Sequence, residues 1–185
     1  MRPAGDRDLI QIVDAAMAEA ARKSGDWLVC RPGCFSCCLG PFAISQLDAI
    51  RLRQGLSDLD ASDPERAARV RVRAQEAVAR ISHAFPQDPV GSVLSDDYSD
   101  EEPCPALDTE TGTCDLYASR PITCRTFGPP VRTGSESVGV CDLCFEGASD
   151  EEITACEVEV DPGGLEEELL RELEGGATLV AFALV

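Results

Sequence analysis

The sequence has few aromatic residues, one histidine and no long apolar run. Aromatic residues make up 5% of the 185 positions, so apolar packing alone is expected to leave a modest core. The most apolar segment, 177–185, is far too short to span a bilayer and is predicted to be a packed strand or helix. The first residues carry charges of both signs without an apolar stretch behind them, which is untypical of a secretory signal.

Positive charge is also scarce, and this limits the partners that we expect. Sixteen Lys and Arg stand against 34 Asp and Glu, a formal net charge of −18. A phosphate backbone or an anionic membrane would repel such a surface, so we predict neither a nucleic acid nor a membrane partner. The simplest explanation of the acidic composition is that it keeps the protein soluble. A protein or peptide partner stays open, and the oligomeric state is not indicated.

Several familiar catalytic and nucleotide-binding motifs are missing. The paired glycines at 163–164 and 175–176 are turn signals, and neither forms a nucleotide-binding G-x-G-x-x-G motif. The sequence shows no Ser/His/Asp set and no H-E-x-x-H motif. The single histidine, His83, is predicted to end a helix rather than to bind metal. Whether the protein is an enzyme is therefore left open, and no catalytic residue is assigned.

Cysteine, by contrast, is abundant, with ten residues. Four fall within nine positions, and six follow later in the chain: Cys30, Cys34, Cys37, Cys38, Cys104, Cys114, Cys124, Cys141, Cys144 and Cys156. Without an export signal we expect a cytoplasmic protein, and in a reducing cytosol clustered cysteines bind metal or do redox work more often than they form disulfides.

The spacing of these cysteines favours metal binding at more than one ion. Cys34–Cys37 and Cys141–Cys144 are C-x2-C pairs, whose sulfurs can converge on one ion in a tight turn. Adjacent side chains such as Cys37 and Cys38 point to opposite sides of an extended backbone. The doublet therefore favours a polynuclear or paired site over a lone zinc knuckle.

A second block places three cysteines ten residues apart. The turn Thr111-Gly112-Thr113 predicts a hairpin that brings Cys104 and Cys114 together. Pro121 predicts a helix start that aims Cys124 inward. Arg120 and Arg125 flank Cys124, where they either lower the pKa of its thiol or pair with nearby acids.

Apolar periodicity predicts three helices, over 6–24, 46–55 and 64–84, with Gly55 ending the second. The arginines of the third helix are expected to pair with acids, residues 86–103 to form an exposed loop, and 146–174 to bury a leucine stripe if helical.

The predicted fold class is mainly α: a small single domain of helices with irregular, metal-nucleated cysteine loops and at most a short β-hairpin. We divide it into an N-terminal helix (1–29), a cysteine-cluster metal-binding domain (30–145) and an acidic C-terminal helical segment (146–185) packed on the same domain.

Four motifs in order resemble a known family. The Cys34-x2-Cys37-Cys38 core with Cys30 upstream, then Cys-Pro-x-Leu, Gly-x-Cys-x-Leu-Tyr and Arg-Pro-x-x-Cys-Arg-x-Phe, is similar to the CxxCxxCC zinc- or iron-chelating domain family, also called YkgJ-like cysteine-cluster proteins. The resemblance implies metal binding, and the residues on the family pattern are Cys34, Cys37, Cys38, Cys104, Cys114 and Cys124. Cys141 and Cys144 fall where some members have further cysteines, and Cys156 has no counterpart. One branch of the family is associated with methylation of flagellin lysines.

Together these observations predict a cytosolic metal-binding protein with nine candidate ligands: Cys30, Cys34, Cys37, Cys38, Cys104, Cys114, Cys124, Cys141 and Cys144. We expect Cys34, Cys37 and Cys38 to form half of a site completed by Cys104, Cys114 and Cys124. An iron–sulfur cluster or iron is favoured, because the ligands are thiolates without histidine; zinc is the close alternative, since eight thiolates satisfy two tetrahedral sites.

The cluster is expected to serve redox or protein-modification chemistry. Two alternatives remain beside this reading. One is a metal-dependent peptide- or protein-modifying enzyme, for example in methyl transfer, that uses Cys30 or Cys156 as a spare thiol. The other is a structural zinc module that presents its acidic C-terminal helix to a partner protein.

Overall fold

The computed structural model describes residues 3–94, 102–133 and 136–185. About 55% of these described residues are helical. The α-helices of the described part are α1 (Asp6–Ser24), α2 (Gln46–Ser62), α3 (Pro64–Ala84), α4 (Pro89–Leu94), α5 (Ile122–Thr126), α6 (Asp150–Cys156), α7 (Leu165–Leu170) and α8 (Val180–Ala183). Its strands are β1 (Ala43–Ile44), β2 (Leu107–Asp108), β3 (Thr113–Cys114), β4 (Val131–Thr133), β5 (Glu136–Val138), β6 (Val158–Glu159) and β7 (Thr178–Leu179).

The chain divides into two compact units. The first unit contains Pro32–Pro121 and Leu173–Val185, and the second contains Arg2–Arg31 and Ile122–Glu172. The predicted acidic C-terminal segment has residues in both units. The predicted boundaries at 29/30 and 145/146 stay a prediction.

The core of the first unit is built by α2, α3 and α8. Helix α2 begins with a capping box, in which Ser45 and Asp48 each accept a hydrogen bond from the other's backbone amide. Helix α3 begins after Asp63, whose side chain accepts from the amide of Arg66, and has Pro64 in its first turn. The two helices bury apolar side chains against α8: Leu52, Leu56, Ala67, Val70, Ala74, Val180, Ala183 and Leu184. Both helix starts are confirmed.

Helix α2 does not end at Gly55, so that part of the prediction is wrong. The helix continues to Ser62. The glycine is used for close packing instead: a Cβ at Gly55 would lie 2.5 Å from the Cβ of Ser119 and closer still to its Oγ. Ser119 ends the 3-10 turn Tyr117–Ser119. A local stop signal was therefore overridden by a tertiary contact within the unit.

Replacing Gly55 by alanine should destabilise the protein by about 1–3 kcal/mol, the usual cost of overpacking a tight contact. Helix propensity alone would predict the opposite sign, because alanine is the better helix former. Urea denaturation of Gly55→Ala and of the double variant Gly55→Ala/Ser119→Gly separates these effects. The double variant should recover the loss, since it removes the atoms that clash; no recovery would contradict the packing explanation. Gln54→Ala on the exposed face of α2 is the control.

The second unit packs α1 against α5, α6, α7 and a small sheet. Helix α1 matches the predicted bounds and buries Leu9, Val13 and Ala20. The sheet has the order β5-β4-β6: β4 is antiparallel to β5, with Val131 opposite Val138, and parallel to β6, with Val131 opposite Val158. Helix α7 buries Leu169 of the expected leucine stripe.

The mainly α class is confirmed. Beyond the expected hairpin β2–β3, short segments also pair as β1–β7 and as the three-stranded sheet of the second unit. The predicted loop 86–103 contains helix α4, and its residues 95–101 lie outside the described part of the chain. Within the described ranges, no helix is both long and apolar enough to cross a membrane.

Candidate metal centre

Two cysteine segments of the first unit are joined by backbone hydrogen bonds. The amide of Cys104 donates to the carbonyl of Cys38 at 2.8 Å, and the amide of Gly40 donates to the carbonyl of Glu102 at 2.7 Å. Residues 38–40 and 102–104 thus run antiparallel, with Leu39 and Pro103 bridged between them. This pairing places Cys38 beside Cys104 although the two are far apart in the sequence.

The predicted hairpin places Cys114 in the same group. Strands β2 and β3 pair with Leu107 opposite Cys114, and the turn uses Gly112 at a φ of +66°, a conformation that favours glycine. The amide of Leu107 donates to the carbonyl of Cys104 at 2.8 Å, which fixes the hairpin against that residue. Cys104 and Cys114 both pack against the apolar core of the first unit. The hairpin and its effect on these two cysteines are confirmed.

The hairpin turn also touches the loop that carries Cys34. A Cβ at Gly112 would lie 3.1 Å from Cδ1 of Phe35 and 3.2 Å from the carbonyl oxygen of Gly33. Cys34 itself is half-buried. The turn Ser36–Cys38, a single 3-10 turn, follows this loop and presents Cys37 and Cys38.

Helix α3 holds the cysteine-bearing loops through one buried carboxylate. The side chain of Asp115 is 2% exposed and accepts from Arg66 Nε and Arg73 Nη2, both at 2.5 Å. Arg73 also donates from Nε to the carbonyl of Pro105 at 2.8 Å. These contacts attach the residues next to Cys104 and Cys114 to the helix. The predicted pairing of the α3 arginines with acids is confirmed here, and also for Arg71 with Asp60 and Arg80 with Glu102.

The thiols of this group have divided acidities. Cys38 donates its S–H to Cys37 Sγ, which is the main reason why the pKa of Cys37 is lowered to about 6. The same hydrogen bond, together with burial and the nearby Cys104 and Cys114, raises the pKa of Cys38. Burial raises the pKa of Cys104 to about 12 and also raises that of Cys114. Cys37 is therefore the thiol of this group that loses its proton most readily, and a metal that binds the group must displace the remaining protons.

Arg120 acts on this group. Its positive charge favours the thiolate of Cys37 and that of Cys114. The guanidinium lies over the ring of Tyr117, 3.9 Å from its centroid. The predicted effect of Arg120 on Cys124 stays a prediction.

The other five cysteines lie in the second unit. Cys30 and Cys144 place their sulfurs 4.0 Å apart. Cys141 and Cys144 form a tight C-x2-C turn, in which the amide of Cys144 donates to the carbonyl of Cys141 at 2.8 Å, and both side chains are buried. Cys124 is half-buried on α5. The neighbouring Arg125 pairs with Asp14 at 2.8 Å, as the acid-pairing alternative predicts.

Cys156 was not among the nine predicted ligands. It ends α6 and lies in one buried cluster with Cys141, Cys144 and Phe145. Its S–H donates to the carbonyl of Lys23 at 3.3 Å. In the sequence, the capping box Ser149–Glu152 predicts a helix that starts soon after Cys144. In the structure this helix ends at Cys156.

Gly128 lies between Cys30 and Cys141. A Cβ at Gly128 would lie 3.1 Å from Cys30 Sγ, its φ is +124°, and its carbonyl accepts from the amide of Cys141 at 3.1 Å. Gly128→Ala should therefore lower the stability by about 1–3 kcal/mol through backbone strain and the contact with sulfur. Thermal denaturation checks this, with Gly139→Ala as the control, because a Cβ there meets nothing within 4 Å. Equal melting temperatures for the two variants would contradict the expectation.

The nine predicted ligands thus fall into two sets. The first unit brings together Cys37, Cys38, Cys104 and Cys114, near the loop of Cys34; the second brings Cys30 to Cys144, beside Cys141. The grouping of Cys124 with Cys104 and Cys114 stays a prediction, since these residues belong to different units. Among residues 3–94, 102–133 and 136–185, no three or more His, Cys, Asp or Glu side chains converge closely enough to hold a metal ion. Binding would require the thiols to rotate from their present hydrogen bonds.

Short loops that group thiols on a helical framework are typical of cysteine-rich metal-chelating proteins. The family comparison agrees with this class. The chain belongs to the CxxCxxCC family, described as a putative zinc- or iron-chelating domain, whose profile matches residues 29–144. This membership supports metal binding by the cysteines. No curated protein and no solved structure matches the chain significantly.

Proposed function

We propose that the protein binds iron or zinc through the thiols of its first unit: Cys34, Cys37, Cys38, Cys104 and Cys114. The observation that carries this proposal is the backbone pairing of residues 38–40 with 102–104, which supports a common site for cysteines distant in sequence. The donor chemistry fits, because thiolates are soft ligands that select zinc, iron–sulfur clusters and copper(I) over hard cations.

The surroundings support a site with several thiolates. Arg66, Arg73 and Arg120 each act on at least one of these thiols, favouring the ionised form. Their positive charges would offset the negative charge that builds up when several cysteines lose their protons. A bound metal would cross-link the loops and, as iron, would supply one-electron redox chemistry.

Substituting Cys104 by serine tests the ligand set. We expect Cys104→Ser and Cys38→Ser to lower the metal content of protein purified anaerobically. Ser36→Ala, on the same 3-10 turn as Cys38, is the matched control and should keep it. Full metal content in both cysteine variants would refute this site.

We favour an iron–sulfur cluster over zinc, because the first unit's donor set consists of thiolates, the ligands that hold such clusters. Protein prepared without oxygen should be brown and contain iron with acid-labile sulfide. A colourless protein with stoichiometric zinc would refute the iron form and leave metal binding intact.

We further propose a reducing compartment, the cytosol, as the working location. All ten cysteines are free thiols in the structure, and such sets persist where glutathione and thioredoxin keep them reduced. A redox role follows only for the iron form. Its test is a reversible change of the visible spectrum on adding dithionite and then a mild oxidant.

A further inference from the structure

We infer that the second unit has a metal site of its own, formed by the thiols of Cys30, Cys141, Cys144 and Cys156. The inference does not depend on the site proposed in the first unit, because the two sites share no ligand. Cys156 lies outside the matched family region 29–144. The expected ion is zinc or another ion that accepts four thiolates.

The sulfurs of Cys30 and Cys144 are separated by a distance that suits two ligands of one metal ion. With zinc–sulfur bonds of about 2.3 Å, two ligands of a tetrahedral ion lie roughly 3.8 Å apart. Cys30 Sγ and Cys144 Sγ are 4.0 Å apart. That is far beyond the ~2.05 Å of a disulfide bond.

A glycine and a tight turn bring Cys141 to the same place. Gly128 has no side chain where Cys30 Sγ approaches, and its carbonyl fixes the amide of Cys141. Cys141 is in turn connected to Cys144 by the hydrogen bond of the C-x2-C turn. Cys30 is therefore linked to Cys144 through the two sulfurs, whereas Cys141 is linked to Cys144 through the backbone and to Cys30 through Gly128.

Cys156 supplies the fourth thiol from the end of α6. It shares the buried cluster of Cys141 and Cys144, and its sulfur has only to exchange the hydrogen bond to Lys23 for the metal. The metal must displace the thiol proton in this exchange, so binding at Cys156 strengthens as the pH rises.

An aromatic pair shields this cluster. The rings of Trp27 and Phe145 stack with centroids 6.1 Å apart at 13°, and the amide of Phe145 donates to the carbonyl of Trp27 at 3.1 Å. Trp27 precedes Cys30, and Phe145 follows Cys144, so this contact ties the two cysteine segments together. Phe145 holds a φ of +59°, an unusual conformation for a residue with a side chain. The buried, apolar surroundings of Cys141, Cys144 and Cys156 suit a structural site, and Cys30 is its exposed ligand.

The test uses the full chain, stripped of metal under reducing and anaerobic conditions and then titrated with Co²⁺, whose thiolate complexes absorb visible light. We expect Cys141→Ser/Cys144→Ser to lose about one Co²⁺ per chain relative to the parent protein, the loss of one four-thiolate site. Ile153→Ala, in the same apolar cluster, is the control for disturbed packing and should keep the full amount. Unchanged stoichiometry in the double cysteine variant would overturn the inference.

Cys30 allows a sharper assignment, because in the sequence it stands next to the ligands of the first unit. In a background of Cys37→Ser/Cys38→Ser, adding Cys30→Ser or Cys156→Ser should abolish the remaining four-sulfur cobalt spectrum. In a background of Cys141→Ser/Cys144→Ser, Cys30→Ser should change nothing. The reverse pattern would assign Cys30 to the first unit and overturn our ligand set.

These variants also separate failure of this inference from failure of the proposed function. Metal loss only on removing Cys37 and Cys38 would refute the second site alone. Metal loss only on removing Cys141 and Cys144 would refute the first site alone. A Cys30–Cys144 disulfide in protein kept reduced, found by mass spectrometry without bound cobalt, would also overturn the second site.

Discussion

Asp115→Ala is expected to destabilise the protein by about 2–4 kcal/mol, somewhat less than the 3–5 kcal/mol typical of breaking a fully buried ion pair. The carboxylate is 2% exposed and accepts from two arginines, which would be left with one fewer partner each. The expected loss of stability is smaller than for a fully buried pair because solvent reaches both cations: Arg66 is 37% and Arg73 27% exposed. Urea denaturation followed by circular dichroism measures the change.

The same variant should loosen the cysteine-bearing loops. Asp115 directly follows Cys114, and its amide donates to the carbonyl of Ala106 at 2.7 Å, so its side chain anchors the hairpin to α3. We expect faster amide hydrogen exchange over 104–116 and weaker metal retention.

Asp60→Ala is the matched control for Asp115→Ala. Asp60 also pairs with an α3 arginine, Arg71, but the two side chains are 46% and 40% exposed, and exposed pairs contribute little. If the two variants were equally stable, the buried carboxylate would not be an anchor.

Local signals in the sequence predicted the elements of this fold well. The capping box at Ser45 and the aspartate before Pro64 set helix starts through side chains that reach only three residues ahead. Gly112 set the hairpin turn through its own backbone freedom. Such features depend on neighbours in the chain, so they are visible without a structure.

Features that depend on distant contacts were predicted less well. Gly55 has the local pattern of a helix stop, but the approach of Ser119 gives it a different role. Cys30 stands four residues before Cys34, yet the chain passes from one compact unit to the other between residues 31 and 32. Cys156 had no partner in its own neighbourhood, and only the packing of α6 places it with Cys141 and Cys144.

The sequence predicted which type of ligand the candidate site contains, but not which chain segments are joined there. Cysteine spacing identified candidate thiol ligands, whereas the pairing that joins residues 38–40 to 102–104 involves no distinctive sequence pattern. The predicted absence of nucleic acid and membrane partners rests on charge alone and stays a prediction.

Removing the metal with a chelator is expected to lower the free energy of unfolding by several kcal/mol. When the free metal concentration is a thousand times the dissociation constant, binding stabilises the native state by about 4 kcal/mol. In the first unit the segments that carry Cys37, Cys38, Cys104 and Cys114 contain only single turns and strands of two residues. The metal is therefore expected to stabilise these loops most. Metal binding is then a large part of what keeps them folded.

Hydrogen exchange before and after chelation locates the effect. Protection should fall first over 34–39 and 102–116, whereas the α2–α3–α8 core, which buries its own apolar surface, should keep more of its protection. Cys37→Ser/Cys104→Ser is the control: already deprived of its first-unit ligands, it should show no further loss in these segments when the chelator is added. An unchanged cooperative transition in chelator-treated parent protein would contradict a stabilising metal. Loss of protection only over 124–156 would assign the stabilising metal to the second unit instead, because Cys124, Cys141, Cys144 and Cys156 all lie within that range.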